Sequence, residues 1–159
     1  MTAGELIAVT DLDMSIRLMT IDDYEKVYDL WMSCAGMGLN NLDDSKEGIE
    51  RFLRRNPDTC FVADAENVIV GVIIVGNDGR RGYIYHTAVH PQYRKQGIAK
   101  NLVDTAMTAL QKIGISKVAL VVFERNEIGN EFWEKMDFTV RDDLIYRNKA
   151  LAEMVRIDT

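Results

Sequence analysis

A long amphipathic helix set between two apolar runs restricts the fold of this chain more than any other feature. Ala99, Leu102, Val103, Ala106, Leu110 and Ile113 recur at helical spacing, and Gly114 closes the segment. Tyr83 to Val89 precedes it and the nearly unbroken apolar run Lys117 to Phe123 follows it. Two strands joined through a helix are parallel, because a crossover of that length returns the chain to the same edge. A run without alternation reads as a strand covered on both faces.

The rest of the chain surrounds this unit. Ser15 to Met19 alternates as a strand, and Thr20 caps a helix carrying Ile21, Tyr24, Val27, Tyr28 and Trp31, with Asp23 in its acidic first turn. A second helix starts after Asp44 or Ser45, runs through Ile49, Phe52 and Leu53, and stops at Asn56-Pro57. Thr59 to Ala65 and Val68 to Val75, separated by Glu66-Asn67, form an antiparallel meander with Tyr83 to Val89. A last helix from Ile128 to Met136 and short strands Phe138 to Arg141 and Leu144 to Asn148 complete an α/β (α+β) domain over 14–159. Residues 1–13 show no sustained period and are expected to be an extension or a loosely attached strand.

Bulk properties exclude several classes. A chain of 159 residues with 47% hydrophobic and 28% charged residues supports one globular core. No apolar run reaches membrane-spanning length and the start of the chain lacks a signal-peptide layout, so a cytoplasmic protein is expected. Cys34 and Cys60, with His86 and His90 as the only histidines, give neither a disulfide framework nor metal spacing, and both thiols are expected to be free. A formal net charge of -6 argues against nucleic-acid binding, so an anionic ligand has to be held locally.

Such a local site is written into Ala88-Val89-His90-Pro91-Gln92-Tyr93-Arg94-Lys95-Gln96-Gly97-Ile98-Ala99-Lys100, which passes from strand end to helix start. Unpaired N–H groups and the positive end of the dipole favour an anion there. Gly97 and Ala99 leave room for a phosphate, and Arg94, Lys95 and Lys100 add charge. A glycine that merely eases a loop-to-helix junction is the competing reading. Walker and dinucleotide fingerprints do not fit: the residues after Gly97 differ from the first, and seven residues separate the strand from a lone glycine, unlike the second.

Arg94-Lys95-Gln96-Gly97-Ile98-Ala99, after Ala88-Val89-His90-Pro91, matches Arg/Gln-x-x-Gly-x-Gly/Ala after Ala-Val-x-Pro. Asn126, Phe132 and Glu134-Lys135-Met136-Asp137-Phe138 follow Asn-x-x-Ala-x-x-Phe-Tyr-Glu-x-x-Gly-Phe. The chain thereby resembles the GNAT superfamily of acyl-CoA-dependent N-acetyltransferases. That resemblance implies a central mixed, mostly antiparallel sheet of about six or seven strands, with a parallel splayed pair and about four flanking helices. It implies acetyl-CoA as cosubstrate, its pyrophosphate on Arg94, Lys95, Gln96, Gly97, Ile98, Ala99 and Lys100, and its pantetheine arm against Ala88 and Val89 near Asn126. Asn126 also reads as an N-cap for the last helix.

The same resemblance implies direct acetyl transfer to a primary amine, on a small molecule or a peptide, in a ternary complex, with a homodimer as a further expectation. Trp133 stands where many relatives carry a tyrosine that protonates the departing sulfur, and indole cannot supply that proton. A non-catalytic acyl-CoA-binding module is therefore the alternative. Tyr146, ahead of Tyr85 and Tyr83, is the expected substitute acid. His86 is the expected base, ahead of Glu124, with Tyr85 on the opposite face of the strand. Asp43 and Asp44 are expected to cap the next helix or to bind a cationic amine; Cys34, at a helix end, reads as inert.

Overall fold

The computed structural model describes residues 14–159; the segment read as an N-terminal extension lies outside them. Five strands form one sheet in the order β1-β3-β4-β5-β6. These are β1 (Met14–Leu18), β3 (Phe61–Ala65), β4 (Val68–Asn77), β5 (Gly82–Val89) and β6 (Val118–Ala119). All neighbours are antiparallel except β5 and β6, which run parallel with Gly82 opposite Val118 and Tyr83 opposite Ala119. Four helices complete the domain: α1 (Tyr24–Met32), α2 (Lys46–Arg55), α3 (Ile98–Lys112) and α4 (Glu127–Lys135). A separate two-stranded ladder joins β2 (Leu39–Asn40) to β7 (Arg156–Ile157).

Alternation along β4 builds two cores. Val72 and Ile74 face Val27, Leu30, Trp31, Ile49 and Leu53 of α1 and α2. Ile73 and Val75 face Ile98, Leu102, Val103, Ala106 and Leu110 of α3. Each fully buried aliphatic side chain contributes about 1.5 to 3 kcal/mol of transfer free energy, so α3 is fixed mainly by this stripe. Ile113, assigned to the stripe by its spacing, is 49% exposed because the helix ends before it returns to the sheet.

Local signals set the ends of the elements. The Ser45 hydroxyl accepts from the Gly48 N–H at 3.0 Å and caps α2, relieving Asp44 of that role. Asp23 accepts from the Thr20 N–H at 2.9 Å and pairs with Arg17 at 2.8 Å. Glu66 and Asn67 both take positive φ, as a tight hairpin turn between β3 and β4 requires.

Two strand expectations change. The strand covered on both faces is β4; the run after Lys117 pairs for only two residues before leaving the sheet, and Val121 is 60% exposed. Residues 138–148 form no strand either. With β6 ending at Ala119 they have no ladder partner, and Val140, Leu144 and Ile145 are left exposed. The chain then returns to β2, where the Val155 carbonyl accepts from Asn41 N–H at 3.0 Å.

Candidate active site

Beyond Tyr83 and Ala119 the parallel strands part: β5 continues to Val89 while the opposite chain leaves the sheet. Within this open stretch β5 is bulged. Tyr85 lies opposite Ile74 and Ala88 opposite Val72, so His86 and Thr87 share the single partner position Ile73. His86 takes φ 36°, and the extra residue breaks the alternation of side chains. Tyr85 and His86 therefore line the same cavity, with ring centroids 6.2 Å apart, rather than opposite faces.

The bulge delivers His86 to Asp44. Its Nε2 lies 2.7 Å from Asp44 Oδ1, and Asp44 is 3% exposed. The other Asp44 oxygen accepts from the Asn40 N–H at 2.8 Å. The Trp31 indole donates to the His86 carbonyl at 3.1 Å and packs edge-on to its ring at 5.2 Å. Neutral imidazole donating Nε2–H to a carboxylate presents Nδ1 as its basic nitrogen. The Thr87 hydroxyl, next along β5, is buried without a hydrogen-bond partner among the described residues.

A 3-10 turn at Pro91–Tyr93 carries the chain from β5 to α3. Lys95 (φ 62°) and Gly97 (φ 78°) are both left-handed, and Gly97 is the N-cap of α3. The first intrahelical bond runs from Asn101 N–H to Gly97 O, so the N–H groups of Ile98, Ala99 and Lys100 have no acceptor within the helix. A Cβ at Gly97 would meet no atom within 4 Å; the space in front of this helix start is open. The expected cations contribute unevenly. Arg94, though exposed, folds back to donate to the Val89 carbonyl at 3.2 Å, and Lys100 pairs with Asp104 at 2.7 Å. Backbone and dipole add to the charge of Arg94 and Lys95 there, while that of Lys100 is offset by Asp104.

Asn126 caps α4, its Oδ1 accepting from the Gly129 N–H at 2.9 Å. It also lines a second cavity, of about 560 Å³, with Gly36, Gly38, Phe123 and the C-terminal Arg156. Trp133 packs edge-on between Phe132 and Phe138 at 5.0 and 5.1 Å. Tyr83 and Tyr85 are 4.7 Å apart; burial, followed by the nearby Tyr146, pushes both phenols above their ordinary value. Tyr146 itself is 66% exposed. Cys34 and Cys60 are free and buried, and burial pushes the Cys60 thiol up to about 12. Cys34 Sγ contacts the Val89 carbonyl at 3.6 Å. No group of three or more metal-ligating side chains occurs among the described residues.

Sequence reasoning missed two partners. Asp44, which from the sequence reads as a cap or an amine ligand, is the partner of His86. The return of residues 155–159 to the α1–α2 loop, where Met37 N–H donates to the Thr159 hydroxyl at 3.0 Å, has no periodic signal to announce it.

Residues 24–138 match the acetyltransferase (GNAT) family. An acetyltransferase of Sodalis glossinidius is 36% identical over 140 residues, covering 88% of this chain and 97% of that protein. In fold the chain is similar to Ard1 from Thermoplasma volcanium, with TM-score 0.73 and 21% identity over 81% of this chain and 84% of that one. It is likewise similar to the PaiA N-acetyltransferase from Thermoplasma acidophilum in complex with coenzyme A, with TM-score 0.71 and 23% identity over 81% and 91% of the two chains. The family match starts at the first residue of α1 and ends just past α4, taking in His86, the Gly97 helix start and Asn126, so the chain belongs to the GNAT family of acetyltransferases.

Proposed function

We propose that this protein transfers the acetyl group of acetyl-CoA to a primary amine, by direct attack of the amine within a ternary complex. The observation that carries the reading is the succession of a splayed edge and a bulged histidine on β5 and, one turn beyond it, an open helix start. The helix start supplies N–H donors for the pyrophosphate, with Lys95, Gln96 and Ala99 around it. The open edge of β5 at Ala88 and Val89 supplies main-chain groups for the pantetheine amides, and the orphaned Thr87 hydroxyl is a further polar group seeking a partner. Acetyl-CoA provides the activated acetyl group. The rest of the chemistry is proton management by this chain.

An alkylamine is protonated near neutral pH and has to lose that proton before it attacks. His86 accepts it at Nδ1, while Asp44 holds Nε2 and stabilises the imidazolium formed. Tyr146, beside Tyr83 and Tyr85, protonates the departing thiolate, and the second proton, lost from the nitrogen as the tetrahedral adduct collapses, passes through water to restore the phenol. A thiol has an ordinary pKa near 8.5, so unaided departure costs only about 2 kcal/mol at pH 7. Tyr146→Phe is accordingly expected to lower kcat by at least about tenfold, near the lower end of what a positioned acid contributes. Steady-state rates on the best acceptor check this, and an unchanged kcat removes Tyr146 from the mechanism.

The whole reading is tested by free CoA released from acetyl-CoA across a broad panel of amines. Tight acetyl-CoA binding without release would establish the non-catalytic alternative. The exposed apolar side chains Val140, Leu144 and Ile145 support the accompanying expectation of a homodimer, which sedimentation at micromolar concentration reads directly.

A further inference from the structure

The cavity shared by Tyr85 and His86 has a volume of about 910 Å³, within the range of small-molecule sites. Its charges are sorted along its length. Asp43 and Asp44 lie at the His86 end, and both are engaged: Asp44 by His86 and the Asn40 N–H, Asp43 by the Asn40 side chain at 3.1 Å. Cations gather at the other end, beside the β4–β5 turn. Arg51 and Arg55 are four residues apart on α2 and so share one helix face. Arg55 reaches the Asn77 carbonyl at 3.5 Å, next to the turn. Lys117 is brought to the same place because its carbonyl accepts from the Gly82 N–H at 2.9 Å, one residue from Arg81.

These four cations line the cavity, and among the described residues none is ion-paired with a carboxylate. Asp78 lies at the same end. Its carboxylate is turned to the backbone N–H groups of Arg80 and Arg81, at 2.8 Å each, which lower its pKa below the ordinary value. A cluster of unpaired cations in a chain of net charge -6 runs against the overall charge. Phe52, Tyr83 and Tyr85 form an apolar stretch between the two ends, with Phe52 edge-on to Tyr85 at 5.8 Å.

We infer that the acceptor is an anionic amine: its amino group meets His86 and Asp44, and a carboxylate or phosphate meets Arg55, Arg81 and Lys117. The inference rests on the acetyl-transfer reading for the identity of the reacting end. Four strand steps lead from Gly82 to His86, which sets the spacing between amine and anion at roughly 10 to 13 Å. A purely cationic polyamine would place its second charge among the arginines, which like-charge repulsion disfavours. Arg51 stands one helical turn nearer the amine than Arg55 and would face the body of the molecule.

The test uses three primary amines whose chains span that distance: an ω-amino carboxylate, an ω-aminoalkyl phosphate and a diamine. Each is measured for CoA release and, separately, for the rise it produces in the melting temperature of the protein saturated with CoA. The parent is expected to favour at least one anionic amine over the diamine by about tenfold or more in kcat/KM, mainly through KM, as for charge-assisted contacts. The two anionic arms distinguish carboxylate from phosphate. In Arg55→Gln/Lys117→Gln the preference should collapse and the thermal shift with the anionic amine should disappear. A parent that prefers the diamine, or a preference and shift that survive the double substitution, overturns the inference. Absence of CoA release both with these three amines and across the broad amine panel would overturn the acetyl-transfer reading instead. In that case the thermal shift and its loss in the double variant still decide whether the cavity takes an anion.

Discussion

His86→Gln is expected to lower kcat/KM for the best amine by about 10² to 10⁴ at neutral pH while leaving the melting temperature nearly unchanged. Glutamine is chosen because its amide can still donate to Asp44, whose carboxylate is 3% exposed. A smaller apolar residue would strand a buried charge, at a cost of about 3 to 5 kcal/mol, and confuse lost catalysis with lost stability. The amide has no basic nitrogen and cannot accept the amine's proton. Asp44→Asn preserves an oxygen for Nε2–H but removes the negative charge. Its loss in kcat/KM should be smaller, because the imidazole keeps its hydrogen-bonded orientation and only the imidazolium formed on proton transfer loses its neighbouring carboxylate. The groups facing His86 are Asp44 and Asp43, Tyr85 on its own strand and the Trp31 ring of α1; of these only Asp44 touches an imidazole nitrogen. A glutamine variant that keeps its activity to within about threefold would mean that the amine loses its proton to water instead.

Much of this arrangement is legible in the sequence. The crossover helix, the meander and the Gly97 segment follow from period, turn residues and a short motif, because each depends on interactions a few residues apart. His86 is legible only as a residue type on the right strand. Its orientation depends on a bulge at residues 86–87, and one inserted residue in a ladder leaves no trace in alternation when Tyr85, Thr87 and Ala88 all suit a strand. Asp44 is hidden for another reason. Two acidic residues before a helix look like a cap, and Ser45 takes that role at closer register, freeing Asp44 for a partner 42 residues away. The failed strands have a physical cause as well. Phe138 to Arg141 and Leu144 to Asn148 have suitable residues, but strand formation needs an adjacent edge, and β6 is two residues long. Local propensity cannot report where a neighbouring strand stops.

Gly97→Val is expected to abolish the rise in melting temperature produced by acetyl-CoA. With ligand at one hundred times its Kd that rise corresponds to about 2.7 kcal/mol, several degrees for a domain of this size. Two effects have to be separated. Gly97 has φ 78°, so any side chain there strains the backbone by roughly 1 to 2 kcal/mol whether or not a ligand binds. Gly114, at the other end of α3, provides the control: its φ is 87°, and a Cβ there would also meet no atom within 4 Å. Gly114→Val should therefore suffer comparable strain and a comparable fall in unliganded melting temperature, yet keep the full response to acetyl-CoA. Gly97→Val should lose that response because the valine methyls occupy the open space before the N–H groups of Ile98, Ala99 and Lys100. Equal responses in the two variants would move the pyrophosphate away from the start of α3, and the anion site would have to be sought elsewhere on the domain.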